Sequence, residues 1–355
     1  MPEDPSRAGS SSDAVRSPRG GAGSLAQTLA RLPAATASAA DLAFCDEVIR
    51  RNSRSFHVAS RLLPRAIRER AIATYAFCRG ADDDVDRDDG DPRARHLATR
   101  QRLARLYAGE PMDDPVGRAF AAVVAAAGIP REEPEALLDG MAQDLGVVRM
   151  ASEDDLVVYA WRAAGVVGCM MSRIMGRGDD QALRRAIDLG IGMQLTNVAR
   201  DVGEDAARDR VYLPADWLAE AGSSVGEVLA RRPTPGVLAT NRRVLALAER
   251  YYESGIGGIR LLPPRCRPAI LTAALTYREI GRRVLARGGD GVSSRVAVPD
   301  ARKLALVASA CARCVLDPGL RGEATEPHRP ELHAALGRAG VRVGPGATAA
   351  EPSRP

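Results

Sequence analysis

Arg79-Gly80-Ala81-Asp82-Asp83-Asp84-Val85-Asp86 and, much further along the chain, Asn197-Val198-Ala199-Arg200-Asp201-Val202-Gly203-Glu204-Asp205 decide how this sequence is read. Each run follows text with helical composition: Ala71-Ile72-Ala73-Thr74-Tyr75-Ala76-Phe77-Cys78 before the first, Leu189-Gly190-Ile191-Gly192-Met193-Gln194-Leu195-Thr196 before the second. Side chains three or four residues apart share a helix face. Asp82 and Asp86 therefore form a carboxylate pair, with Asp83 beside it, and Asn197, Asp201 and Asp205 form an oxygen-bearing stripe. A short acidic run is ordinarily a solvated helix end. Here the preceding text is apolar on almost every face, so both runs belong to buried helices, where an uncompensated charge is costly. Asn and Asp also disfavour helix interiors, because their side chains compete for backbone groups. Hard oxygen ligands at this spacing suit Mg²⁺, which takes one or two carboxylates, several waters and phosphate oxygens. Two such clusters facing each other could hold a diphosphate through shared Mg²⁺, with Mn²⁺ as the alternative ion.

Working outward, the 355 residues are 45% hydrophobic and only 4% aromatic, with Ala, Leu, Arg and Glu prominent. That composition favours helix, and no stretch shows sustained period-two alternation. The spacing predicts helices over 41–53, 64–87, 92–108, 115–127, 134–145, 153–175, 179–207, 216–221, 224–230, 235–261, 266–287 and 300–316. Pro64, Pro92, Pro115, Pro134, Pro235 and Pro299 fall at or just before helix starts, where proline is tolerated. Residues 1–40 and 317–355 are rich in Ser, Gly, Ala and Pro and are expected to be disordered, apart from a short helix near 24–31. The expected organisation is thus one all-α domain over 41–316 between two disordered ends.

Net charge is +5, but Lys303 is the single lysine. The basic balance is therefore arginine usage mixed with acids, and no nucleic-acid partner is expected. Six scattered cysteines in apolar text point away from a disulfide framework. No secretion signal and no apolar run of about 20 residues is visible, so a cytoplasmic protein is expected, peripheral at most to the inner membrane. Cys311-x-x-Cys314 followed by His328 and His333 has spacing close to a zinc module. Pro330 between the histidines and the lack of an aromatic core count against it. No phosphate-cradling glycine loop, Ser-His-Asp order or dinucleotide fingerprint is present. Ala163-Ala164-Gly165-Val166-Val167-Gly168 reads as a close helix-packing face that could also wall a tunnel. Tyr159, just ahead of it, either faces reacting carbons or is a core tyrosine.

Over about 41–310 the chain resembles the squalene/phytoene synthase family, and most closely its bacterial phytoene-forming members. The matching blocks are Asn52-Ser53-Arg54-Ser55-Phe56, Tyr75 through Asp83, Tyr159 to Gly168, Gln194 through Asp205, and Val211-Tyr212-Leu213-Pro214-Ala215-Asp216-Trp217, ending with Tyr277 and Arg295. Gly289 stands where the family commonly has an aromatic residue. The resemblance implies an all-α isoprenoid-synthase-type single helical domain around a central cavity, with the acidic helices at its mouth. It implies a metal site of Asp82, Asp83, Asp86, Asn197, Asp201 and Asp205. Ser53, Arg54, Ser55, Arg79, Arg200, Tyr277 and Arg295 would bind diphosphate. Tyr75 and Tyr159 would line the carbocation path, and Arg200 would act with them. The implied reaction joins two molecules of geranylgeranyl diphosphate head to head, through a cyclopropyl diphosphate, to phytoene. It ends in proton loss, so no NADPH is expected. Squalene or dehydrosqualene formation from farnesyl diphosphate, and a catalytically silent helical assembly protein, are the alternatives. An uncharged product suits weak, peripheral membrane contact, and Arg61-Leu62-Leu63-Pro64-Arg65-Ala66-Ile67-Arg68-Glu69-Arg70 mixes arginine with apolar residues as a lipid surface requires.

Overall fold

The computed structural model describes residues 37–87, 90–322, 326–341 and 343; the short helix expected near 24–31 lies outside them. Helices α1 (Ala39–Asn52), α2 (Arg54–Ser60), α3 (Arg65–Asp86), α4 (Pro92–Tyr107), α5 (Pro115–Ala127) and α6 (Glu132–Gln143) form one half. Phe77 and Phe120 stack at 4.1 Å in its core. Then come α7 (Glu153–Ala160), a π-helical turn (Trp161–Gly165), α8 (Val166–Ile174) and α9 (Asp180–Arg200). Beyond them lie α10 (Val202–Ala206), α11 (Ala215–Glu220), α12 (Val225–Leu229), α13 (Pro235–Gly257), α14 (Arg267–Ala286) and α15 (Asp300–Leu316). α9 is the hub, packed against α13, α8 and α14. Strands β1 (Val148–Arg149) and β2 (Arg210–Val211) make a two-residue parallel bridge.

Local chemistry explains most boundaries. Ser38 and Ser152 build capping boxes with Asp41 and Asp155, and Asp179, Asp114 and Thr234 cap α9, α5 and α13. Gly128 ends α5 in the left-handed conformation at φ 63°. α8 and α9 cross with backbones in near contact: a Cβ on Gly168 would meet the Ala186 carbonyl oxygen at 2.2 Å, and one on Gly190 that of Ala164 at 2.3 Å. The small-residue face thus packs closely, while Ala163, Ala164, Val167 and Gly168 also wall a cavity.

Three expectations need correction. The helix read over 179–207 breaks at Asp201, whose φ of −105° and ψ of 15° separate α9 from α10. The Gly203 amide, which a continuous helix would direct to Ala199, donates instead to the Gly291 carbonyl (3.1 Å), and Asn241 Nδ2 takes the Ala199 carbonyl (2.9 Å). The 153–175 helix contains the π-helical turn, and α2, not expected, starts where Ser53 caps it. Last, the 317–355 tail is not uniformly unstructured. It forms α16 (Pro318–Arg321), a 3₁₀ turn (Pro330–His333) and α17 (Ala334–Arg338), burying Leu320, Leu332 and Leu336 against the main core. Its Ser, Gly and Pro content hid these isolated apolar anchors.

Candidate active site

α3 ends in the first acidic run because the chain before it is buried on Ile72, Ala73, Ala76 and Phe77, leaving the final turn at a rim. Arg79 Nη1 donates to Asp82 (2.7 Å), and its Nη2 donates to Asp83. Asp86 accepts from Arg208 (2.7 Å) and Arg210 (2.8 Å), which follow the second acidic run in sequence. Burial, aided by neighbouring carboxylates, lifts the Asp82 carboxyl to about 6 despite Arg79. Burial acts on Asp86 in the same sense, but the hydrogen bonds from Arg210 and Arg208 outweigh it and hold Asp86 below the usual range.

The second run turns at the end of α9. Arg200 Nε donates to Asp201 (2.7 Å), with a second bond from its Nη2. Arg295 reaches the same carboxylate (3.2 Å) and also Glu204 (3.5 Å). The loop carrying Arg295 lies on α9 because glycines allow it. Gly289 has φ +94° and a Cβ there would meet the Leu238 carbonyl oxygen at 2.7 Å, which excludes the aromatic common in the family. Asp205 is raised to about 8 by burial, then by the charge of Asp201. The runs converge: Asp144 acts electrostatically on both Asp82 and Asp205, and Arg208 and Arg210 tie the second run to Asp86.

Whether these residues suit a cation is answered by their unmet demands. Asn197 Oδ1 is buried without a hydrogen-bond partner while its Nδ2 donates to Gln194 (3.2 Å). Two half-buried carboxyls, Asp82 and Asp205, have their ionisation opposed by burial and then by neighbouring carboxylates, Asp86 and Asp83 for the first and Asp201 for the second, a demand that a hard cation meets. The donor set is all oxygen, as Mg²⁺ or Mn²⁺ requires.

A cavity of about 330 Å³ runs inward from Tyr75, Cys78, Gln194, Asn197 and Tyr277. Its wall is apolar and small-sided, with Ala71, Ala163, Ala182, Ala186, Ala269 and Ala273 among the lining residues. Phe56 stacks on Tyr277 at 5.2 Å and approaches Tyr75 at 6.0 Å, so three aromatic faces crowd one end. Ser53 spends its hydroxyl on the α2 cap, Ser55 is half-buried beside it, and Arg54 is exposed, 3.8 Å from Asp300.

Tyr159 does not line the cavity. Its hydroxyl donates to Asp144 (3.2 Å), which also accepts from Tyr212 (2.7 Å), and the two rings stack at 4.7 Å. Its expected place on the carbocation path is therefore corrected to the polar network beneath the acidic runs. Asp144, Arg208 and Arg210 were not singled out by sequence. Asp144 carries no motif, and Arg208 and Arg210 look like two more surface arginines until β2 turns Arg210 inward.

The zinc spacing dissolves in three dimensions. His328 and His333 each place Nε2 2.9 Å from a separate oxygen of buried Asp188, and the two cysteines take no part. Among the described residues this is the group of three metal-ligating types with atoms within 4.8 Å, and its atoms are engaged in hydrogen bonds.

A family model described as squalene/phytoene synthase matches residues 49–302. The phytoene synthase of Rhodobacter capsulatus is 45% identical over 274 residues, spanning 76% of this chain and 80% of that protein. That of Cereibacter sphaeroides is 42% identical over 309 residues, spanning 84% and 87%. Among solved structures, a dehydrosqualene synthase in complex with ligand superposes with a TM-score of 0.70 at 29% identity, covering 77% of this chain and 95% of that one. A squalene synthase from Alicyclobacillus acidocaldarius gives 0.66 at 27% identity, covering 74% and 98%.

Proposed function

The chain belongs to the squalene/phytoene synthase family, and on that premise we propose that it is a phytoene synthase. It joins two molecules of geranylgeranyl diphosphate head to head, through a cyclopropyl diphosphate, and releases phytoene after proton loss. The observation that carries this reading is the convergence of both acidic runs, each with its arginine, at one end of an apolar cavity walled by small side chains.

Divalent metal held by Asp82, Asp83 and Asp86 on one side and Asn197, Asp201 and Asp205 on the other supplies, when bound, charge stabilisation for departing diphosphate. Arg79, Arg200 and Arg295, which sit on these carboxylates, would donate to diphosphate oxygens, a bidentate geometry the guanidinium suits. Arg54, exposed at the start of α2 with Ser53 and Ser55 beside it, would have to swing from Asp300 to meet a diphosphate. The rings of Tyr75, Tyr277 and Phe56 offer π faces to the allylic cation. The apolar wall excludes the water that would quench it. Tyr159 and Tyr212, through Asp144, fix the electrostatics under both acidic runs. Incubation with C15 and C20 diphosphates and Mg²⁺ tests the reading: phytoene from the C20 substrate is expected. A C30 product alone would mean a squalene or dehydrosqualene synthase, and no condensation with either would refute the assignment.

Phytoene is an uncharged hydrocarbon, so its exit favours a bilayer by about 0.8 kcal/mol per CH₂. No helix of the described residues is long and apolar enough to cross a membrane. Leu63 lines the cavity while Arg61 and Arg65 are exposed beside it, which suits docking to anionic lipid. Reversible binding to anionic vesicles that weakens with salt is expected. Absence of co-sedimentation at low salt refutes it.

A further inference from the structure

Arg185 lines the cavity near the end remote from the acidic runs. Along α9 the wall descends from Asn197 through Met193, Gly190 and Ala186 to Ala182, roughly 22 Å at about 1.5 Å per residue. Arg185 is the one charged side chain among the described residues of that wall. It also lines a separate polar pocket of about 80 Å³ together with Glu253, Ser254, Arg260, Glu326 and Arg329. Its side chain is therefore the partition between an apolar tunnel and a polar pocket.

The partition is held firmly. Nη1 donates to the Ser254 carbonyl (3.2 Å) and hydroxyl (3.1 Å), and Nη2 donates to the carbonyls of Glu326 and Pro327 (3.1 Å each). The stem lies against Gly258, where a Cβ would meet Arg185 Cβ at 2.3 Å. A buried guanidinium that swung away would leave those carbonyls unpaired and its own charge unmatched, a costly exchange. The Glu326 and Pro327 carbonyls are in turn fixed by the segment that follows them. His328 and His333 bind the two oxygens of Asp188, Ser254 donates to the same carboxylate, and the Tyr251 hydroxyl donates to the Leu332 carbonyl (2.7 Å).

We propose that Arg185, pinned by the C-terminal segment, is a specificity-determining residue that sets the longest prenyl chain the cavity accepts. This rests on the prenyl-diphosphate reading above. A chain one isoprene unit too long must either displace a charge-bearing, hydrogen-bonded side chain or stay short of the reactive geometry.

The test compares wild type with Arg185→Ala, Arg185→Met and the His328→Ala/His333→Ala double variant. Each is assayed with the C20 and C25 all-trans prenyl diphosphates. Arg185→Ala is expected to raise the C25/C20 ratio of kcat/KM about tenfold or more, since even one methylene shifts such ratios by about tenfold in an apolar pocket. Arg185→Met, which keeps the stem volume, should lie between, and the histidine double variant should move the same way. An unchanged ratio in a folded Arg185→Ala enzyme overturns the proposal. If that variant does not fold, unchanged ratios in both other variants overturn it equally. Wild-type turnover of the C20 substrate reads the proposed function separately. Should it be absent, equilibrium binding of unreactive C20 and C25 thiolodiphosphates decides, and an affinity ratio equal in wild type and variant again overturns the stop.

Discussion

Gly291→Ala tests whether the loop over 288–295 is what delivers Arg295 to Asp201. A Cβ at residue 291 would meet the Ala199 carbonyl oxygen at 2.0 Å and Asn241 Nδ2 at 3.1 Å, so the loop must move outward. That movement withdraws the Gly291 carbonyl from the Gly203 amide (3.1 Å) and takes Arg295 from its 3.2 Å contact with Asp201. Overpacking of this kind costs about 1–3 kcal/mol of stability. Losing a hydrogen bond to a charged group costs about 1.5–3 kcal/mol. If that contact is made to diphosphate in the transition state, kcat/KM falls roughly 10- to 150-fold at about 1.36 kcal/mol per decade. Condensation of labelled geranylgeranyl diphosphate measures the loss, and thermal melting shows that the helical body persists. Arg295→Ala should lose a similar factor, and the double variant little more than either single one, because both remove one contact. Wild-type kcat/KM in Gly291→Ala, or losses that multiply in the double variant, would refute the argument.

Asp82→Asn and Asp201→Asn should each lower Mg²⁺-dependent turnover about a hundredfold or more with helicity intact; near-normal activity in either removes the metal site from that pair. Ending the chain at Gly322 strips His328 and His333 from buried Asp188 and leaves it the Ser254 hydroxyl; removing one side of a buried pair costs about 3–5 kcal/mol. Calorimetry should show a clear fall in melting temperature, the opposite of what the tail's composition implies, and an unchanged transition would contradict the docked segment. Glu133, 2.7 Å from Arg173, is raised to about 7 because burial outweighs its partner. Its folded value lies above the unfolded one near 4.5, so the native state binds more protons between them and stability falls as pH rises through that window. The loss is on the order of 3 kcal/mol at most. Glu133→Gln should flatten the slope of denaturation free energy between pH 5 and 8, and an equal slope in both proteins would sink the idea.

The family, the all-α architecture and the acidic runs could be read from the chain because they are local. Asp82 with Asp86, and Asn197 with Asp201 and Asp205, share faces by helical spacing alone. The prolines and capping residues at Ser38, Asp114, Asp179 and Thr234 mark helix starts within one turn. What the sequence left open depends on partners distant in the chain. The break at Asp201 exists because Asn241 and Gly291 take the backbone groups that a continuous helix would pair. Tyr159 turned to Asp144 instead of the cavity because Tyr212 and β2 bring that network under the acidic runs. His328 and His333, spaced as if for zinc, became donors to Asp188, and Arg185 became a wall only once carbonyls from the chain's end arrived to hold it. Periodicity and capping report which face of a helix is apolar. A buried charge is satisfied by whichever acceptor the packed chain brings to it, and that is settled only by tertiary structure.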